Sequence, residues 1–372
     1  MITSILDYVV WSPNPAVFPG FERLRWYSLF FALGFIIAQQ IMIYIFKKEG
    51  QDERLVDKLT IYMVIATIVG ARLGHVLFYE PERYLGNPID ILKVWEGGLA
   101  SHGAAIAILI AIWLYVRKIP NQNYLWVVDR IVIVVAMVGA LIRFGNLMNS
   151  EIGGKPTGTD NGFVFARNTE EILSTLKLPI ESIEAYQPNE RREELSGNGI
   201  VPVNFDMEIS KGGYEEKDLR TALETDIKYV LTQFRSSQEY LAEDPDTPLD
   251  YTLTDQGNQY VATIKTFGIT KHPTQIYESL SYFVIFLVLL IGWIKYKEQL
   301  PDGLYLGVFL VSVFGMRFFW EFYKENQVDF EENLILNMGQ TLSIPLVIGG
   351  IILIIYAMKK GFKPKNIQGT GS

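Results

Sequence analysis

The sequence predicts an all-α polytopic membrane protein with seven transmembrane helices, on three observations. Of its 372 residues, 49% are hydrophobic, and the mean hydropathy is positive. The apolar residues are gathered into long blocks rather than spread evenly. Seven of those blocks come near the ~20 residues needed to cross the hydrocarbon of a bilayer.

In chain order the windows are Trp26 to Phe46, Leu59 to Tyr79, Leu99 to Val116, Ile131 to Met148, Tyr277 to Trp293, Leu304 to Trp320 and Leu342 to Met358. The first 25 residues lack a basic start followed by a short apolar core and a small-residue cleavage site, so the first helix is expected to stay. Lys and Arg in the connecting loops set orientation. One set of loops carries Lys47, Lys48, Arg54, Lys58, Arg117, Lys118, Arg130, Lys295, Lys297 and the tail lysines 359, 360, 363 and 365. The alternate set holds only Arg23, Arg25, Arg83, Lys93 and Lys324. The N-terminus is therefore expected outside and the C-terminus in the cytoplasm.

Between helices 4 and 5 the segment Asn149 to Thr274 is too long for a bare connection. Within it Leu219, Leu223, Ile227, Val230, Leu231 and Phe234 follow a helical period, while "GIVPVNFDMEI" and "QYVATIKTF" alternate as strands do. A small α+β extracytoplasmic insertion is expected there. The organisation reads as 1–154 for helices 1–4, 155–271 for the insertion, 272–365 for helices 5–7 and 366–372 for a tail whose "GTGS" resembles an appended remnant.

The net charge of −8 sits mostly in that acidic loop, so no nucleic-acid partner is expected. Cysteine is absent, which excludes disulfides, thiolate metal sites and a covalent mechanism through the protein's own thiol. If a thiol takes part, a substrate must bring it.

With the orientation set, the polar residues that interrupt the apolar blocks gather at one depth, the outer ends of the helices. Tyr27 opens helix 1. Arg72 and His75 lie three apart near the end of helix 2, and His102 follows Gly97-Gly98 at the start of helix 3. Arg143 and Asn146 stand near the end of helix 4, with Asn149, Ser150 and Glu151 beyond. "HPTQIYE" brings His272, Gln275, Tyr277 and Glu278 to the start of helix 5, and Arg317 and Glu321 lie four apart at the end of helix 6.

An arginine at helix-centre depth costs about 2.5–3.5 kcal/mol on insertion scales, less near the interface. Arg72, Arg143 and Arg317 are therefore expected to face polar partners in a shared chamber, against the alternative of snorkelling to headgroups. Guanidinium forks and the free N–H groups of helix starts suit phosphate, and a phospholipid headgroup is the local source. The positive end of a helix favours neutral imidazole at His102, the form a general base needs, although a capping or packing role competes. Glu151 and Glu321 read equally as base, arginine partner or loop carboxylate.

At these positions the chain resembles bacterial prolipoprotein diacylglyceryl transferases over essentially all seven helices. The matching pieces are "RWYSLFFALGF", "GARLGHVLFYEP", "WEGGLASHGA", "RFGNLMNSEIGG", "HPTQIYES" and "GMRFFWEFYKENQ", in that order. The resemblance implies transfer of the diacylglyceryl group of phosphatidylglycerol to the lipobox cysteine thiol of a prolipoprotein signal peptide, forming a thioether and releasing glycerol phosphate. It implies no metal and no cofactor. The implied setting is the bacterial cytoplasmic (inner) membrane, with the active site near its outer face.

Residue by residue, it implies a catalytic set of Tyr27, His102, Arg143, Glu151 and Arg317, with His102 matching the histidine often proposed as base. The implied phosphatidylglycerol-binding set is Arg72, Arg143, Asn146, Gly154, His272, Gln275, Glu278, Arg317 and Glu321. Departures from the family pattern are Ile142 and Ala104 for glycines, Leu147 for phenylalanine, and the long loop Lys155 to Lys271. A transporter or flippase recognising anionic lipid or solute through the same arginines is the alternative, but the inner halves of the helices are nearly uncharged and no internal repeat is evident. An intramembrane protease is weaker still, for want of a membrane serine with a histidine partner.

Overall fold

The computed structural model describes residues 8–18, 20, 24–94, 97–120, 122–325 and 334–362. Trp95 and Glu96 of one matched motif, Asn326 and Gln327 of another, Arg23 and the chain's last ten residues lie outside them. The protein is mostly helical, and among the described residues seven helices are long and apolar enough to cross a membrane.

In chain order the elements are β1 (Tyr8–Trp11), α1 (Trp26–Lys48), α2 (Arg54–Phe78), α3 (Pro81–Gly86), α4 (Ser101–Lys118), α5 (Tyr124–Met148), β2 (Gly162–Phe165) and α6 (Arg167–Ser174). There follow β3 (Ile180–Tyr186), β4 (Ile200–Ser210), α7 (Glu216–Ala222), α8 (Lys228–Gln233), α9 (Arg235–Gln238), β5 (Asp250–Asp255) and β6 (Gln259–Ile269). The chain ends with α10 (Thr274–Tyr296), α11 (Leu304–Trp320) and α12 (Met338–Lys360). Two compact units form: Met1–Phe30 with Arg143–Glu278 and Phe319–Asn337, and Phe31–Ile142 with Ser279–Phe318 and Met338–Ser372.

In the second unit α5 is the central helix: 61% of its most apolar window is buried, against 17% in α12. The other helices turn large apolar side chains outward, among them Ile61, Leu77, Val288, Ile291 and Ile352. A surface of that kind is costly in water and suits lipid. The core gathers Phe46, Val56, Ile112, Tyr115, Val127, Ile133 and Trp293.

Two polar anchors are sunk in that core. The Glu49 carboxylate accepts from Arg130 Nε and Nη2 and from the indole N–H groups of Trp126 and Trp293. Asp129 accepts the backbone N–H groups of Gly303 and Leu306 at 2.7 and 2.8 Å, satisfying orphan donors at the start of α11. These pairings explain why the apolar window opens at Ile131 while α5 begins at Tyr124. Arg130, counted above among the loop cations, is a buried ion-paired residue of α5.

Helices α2 and α4 cross at almost backbone contact. A Cβ on Gly74 would lie 2.7 Å from the Gly103 Cα, and one on Gly103 2.3 Å from the Gly70 carbonyl oxygen. Small residues spaced four apart on both helices allow that approach. Its consequence is to fix the start of α4, where His102 sits.

In the first unit an antiparallel sheet runs in the order β3-β4-β6-β5. Val203, Phe205, Met207 and Ile209 of β4, with Ala262 and Ile264 of β6, are fully buried under Leu219, Leu223, Ile227 and Leu231. The helical period read from the sequence is real but interrupted by a π turn over Leu223–Ile227. It ends before Phe234, whose backbone is extended. A separate parallel pair joins β1 to β2, with Tyr8 opposite Gly162.

Candidate active site

In the first unit the site grows from the C-terminal end of α5. Arg143 and Asn146 share one face, and Arg143 Nη1 donates to Asn146 Oδ1 at 3.4 Å. The chain then leaves the helix through two non-glycine residues in the left-handed region, Ser150 at φ 53° and Ile152 at φ 58°. That conformation is uncommon for serine and strained for a β-branched isoleucine. The turn exposes Glu151, whose carboxylate accepts from Asn149 Nδ2 at 2.6 Å and Asn146 Nδ2 at 3.5 Å.

The next residues are stitched to two other segments. Gly154 N donates to the His272 carbonyl at 3.0 Å, and Lys155 N to the Tyr323 carbonyl at 2.7 Å. A Cβ on Gly154 would stand 2.4 Å from the first of those oxygens, so only glycine fits this approach. Tyr27 also packs tightly on α5, where a Cβ on Gly145 would lie 3.0 Å from the Tyr27 Cα.

Behind the signature helix lies a buried chain of charges. Arg143 Nε is 3.0 Å from Glu278 Oε2, and Lys324 Nζ is 2.9 Å from Glu278 Oε1 and 3.1 Å from Glu321 Oε1. Asn337 Nδ2 closes it on Glu321 Oε2 at 3.1 Å. Glu278 and Lys324 are essentially inaccessible to solvent. Each carboxylate thus has a cation, and the Arg143 guanidinium is fixed from behind.

Gln275 and Thr274 spend their polar atoms on the loop itself: Gln275 Nε2 donates to the Glu151 carbonyl at 2.6 Å and Thr274 Oγ1 to the Ile152 carbonyl at 3.2 Å. His272 Nδ1 lies 3.4 Å from the Tyr277 hydroxyl, and its ring meets the Tyr323 ring edge-on at 5.1 Å. Burial lowers the His272 pKa below the usual 6.5, which favours neutral imidazole.

The remaining expected residues belong to the second unit. His102 stands in the first turn of α4 beside the rings of Phe78 and Tyr79 at 5.2 and 5.8 Å. Arg317 lies in the last turn of α11. Arg72, expected to hold phosphate, instead donates to the carbonyls of Asp90, Ile91, Gly97 and Gly98. It clamps the loop before α4, and a Cβ on Gly98 would stand 2.7 Å from the His75 ring and 2.9 Å from Arg72 Nη1.

Arg317 and Glu321 lie at the end of α11, as expected. The α-helix stops at Trp320, a 3-10 turn begins at Glu321, and Glu321 pairs with Lys324 three residues on. Lys324 and Asn337 are the site residues that sequence reading missed. The available signal was the presence of two carboxylates, Glu278 and Glu321, at apolar helix ends, each needing a cation. Lys271 is similar: it is fully buried, ion-paired with Glu325 and 4.2 Å above the Tyr240 ring.

The family model of prolipoprotein diacylglyceryl transferase matches residues 15–356. A relative from Porphyromonas gingivalis, named phosphatidylglycerol–prolipoprotein diacylglyceryl transferase, is 35% identical over 96% of this chain and 98% of its own. Relatives of the same name from Tolumonas auensis and Chloroherpeton thalassium are each 33% identical, over 94% and 95% of this chain and 98% and 96% of theirs. With seven apolar helices and the signature loop in place, this chain belongs to the prolipoprotein diacylglyceryl transferase family.

Proposed function

We propose that this protein transfers the diacylglyceryl group of phosphatidylglycerol to the lipobox cysteine thiol of a prolipoprotein, at the outer leaflet of a bacterial inner membrane. Family membership across nearly the whole chain is the observation that carries this reading. In the reaction the cysteine sulfur attacks the glycerol carbon that bears the phosphate. A C–S bond forms, the C–O bond to phosphate breaks, glycerol phosphate leaves as an anion, and the thiol proton passes to a base.

The arrangement in the first unit supports the role assigned to Arg143. Glu278 and Asn146 hold its guanidinium before substrate arrives, so little reorganisation is needed when negative charge develops on the departing phosphate. A thiol with a pKa of about 8.5 attacks better as thiolate, so a proton acceptor close by is useful. The exposed Glu151 carboxylate fits that need, and His102 is the residue to which the resemblance gives the role. Tyr27, Gly154, Glu321 and His272 keep the site roles given above. Arg317 keeps the role the resemblance gives it, and Gln275 and Arg72 act through the loops they hold.

The N-terminus outside, the C-terminus in the cytoplasm and the residues 155–271 outside the membrane complete the proposal. The test is incubation of the purified protein with phosphatidylglycerol and a lipobox peptide. The expected product is a peptide carrying a thioether-linked diacylglyceryl group, absent when the peptide's cysteine is replaced by serine. No such product from a folded, lipid-supplied protein overturns the proposal.

A further inference from the structure

The least expected feature of the signature loop is that its backbone passes twice through an unfavourable conformation while side chains of α10 donate to its carbonyls at Glu151 and Ile152. Ser150 and Ile152, on either side of Glu151, both have left-handed φ. An L residue there, above all a β-branched one, tends to relax to an extended or right-handed conformation. Relaxation at either position would swing the Glu151 side chain away from Asn146 and Asn149. Against this stand two donors in the first turn of α10, Thr274 Oγ1 on the Ile152 carbonyl and Gln275 Nε2 on the Glu151 carbonyl. Both residues are buried, whereas Glu151 is exposed.

The remaining atom of the Gln275 amide points to a role beyond stability. Its Oε1 is buried with no hydrogen-bond partner. A buried acceptor left unmade is a standing cost, which an apolar side chain of the same length would avoid. Flipping the amide gives no relief, because the Glu151 carbonyl then faces an oxygen.

We infer that Thr274 and Gln275 are positioning residues, a carbonyl clamp that keeps the strained loop in the one conformation that presents Glu151 to the reacting groups. The inference rests on the transferase reading above. It assigns Gln275 to the loop rather than to the lipid.

Gln275→Met removes the donor and the orphan acceptor while keeping the volume. The expected result is a kcat at least tenfold lower, a KM for phosphatidylglycerol within threefold of wild type, and a melting temperature unchanged or raised. Adding Ile152→Asn, a residue that tolerates the left-handed region, should recover at least fivefold of the lost kcat. Gln275→Glu retains a donor only while its carboxyl is protonated, so its activity relative to wild type should rise as the pH falls. Wild-type kcat in Gln275→Met overturns the inference, and so does a loss that tracks unfolding and is not recovered by Ile152→Asn. Hydrogen exchange over residues 149–154 decides the clamp independently of turnover: it should quicken in Gln275→Met, and unchanged exchange overturns the inference. A wild-type protein that makes no thioether product defeats the transferase reading instead.

Discussion

Lys324 Nζ lies 2.9 Å from Glu278 Oε1, and neither side chain is reached by solvent. The lysine also holds Glu321, so one cation serves two carboxylates while Arg143 serves Glu278 from its other oxygen. Removing it takes a cation away from two buried carboxylates, Glu321 and Glu278, in a low-dielectric setting. Lys324→Met is expected to lower stability by about 3–5 kcal/mol, the usual cost of breaking a buried pair from one side. Pairing it with Glu278→Gln should recover about 1 kcal/mol or more of that loss relative to additivity. Thermal unfolding of the four proteins in detergent reads both quantities, and strict additivity would show that the pair does not interact.

The two glycines after Glu151 make a sharper comparison. At Gly154 an added Cβ meets backbone oxygens of His272 and Tyr323 at 2.4 and 2.8 Å, which no rotamer change can relieve. At Gly153 the nearest atom is a Phe165 ring carbon at 3.8 Å, ordinary contact. Gly154→Ala should therefore cost about 1–3 kcal/mol and pull the loop from its stitching, with transfer activity falling with it. Gly153→Ala should stay within about 0.5 kcal/mol of wild type. Equal melting temperatures for the two variants would contradict the close approach.

The contrast between what could and could not be read in the sequence follows from the range of the interactions. The seven spans were legible because a bilayer demands long apolar runs, and the strands β4 and β6 because their sequences alternate, a period that burial follows throughout β6. The start of α5 was hidden: Arg130 reads as a loop cation, and Asp129 beside it falls outside the apolar window, until their partners Glu49 and Gly303 are known, 81 and 174 positions away. Arg72 looked like a phosphate ligand because its acceptors are main-chain carbonyls, which leave no mark in a sequence. Lys324 was counted as a loop cation for a different reason, the distance in sequence to its carboxylate Glu278, 46 residues away. That Arg143, Asn146 and Glu151 gather at the end of α5 could be read from their compact spacing, which is local, whereas Gly154 was singled out only by the family resemblance.

Asp129 gives a prediction at the opposite end of α5. Its two oxygens accept the N–H groups of Gly303 and Leu306, so it acts as a cap supplied from another helix. Asp129→Ala leaves both donors buried without partners and should cost about 2 kcal/mol, the upper end of the range for lost helix caps. Asp129→Asn keeps one acceptor oxygen and should lose less. If alanine and asparagine were equally stable in a thermal melt, the two hydrogen bonds would carry no net weight.

His272 sets an expectation for pH. Burial holds its folded pKa below the 6.5 of a free imidazole, so between those values the unfolded chain binds more proton than the folded one. Stability contributed by this residue is therefore complete above about pH 6.5 and is lost as the pH falls through that value toward the folded pKa. Because the ring lies within reach of the Tyr277 hydroxyl and against Tyr323, His272→Gln, which keeps a polar atom but does not titrate, should flatten this part of the profile. Melting temperatures of wild type and His272→Gln compared between pH 7.5 and pH 5 test it: the gap between them should narrow or reverse on acidification. A gap that widens in acid would mean that the histidine gains, rather than loses, proton affinity on folding.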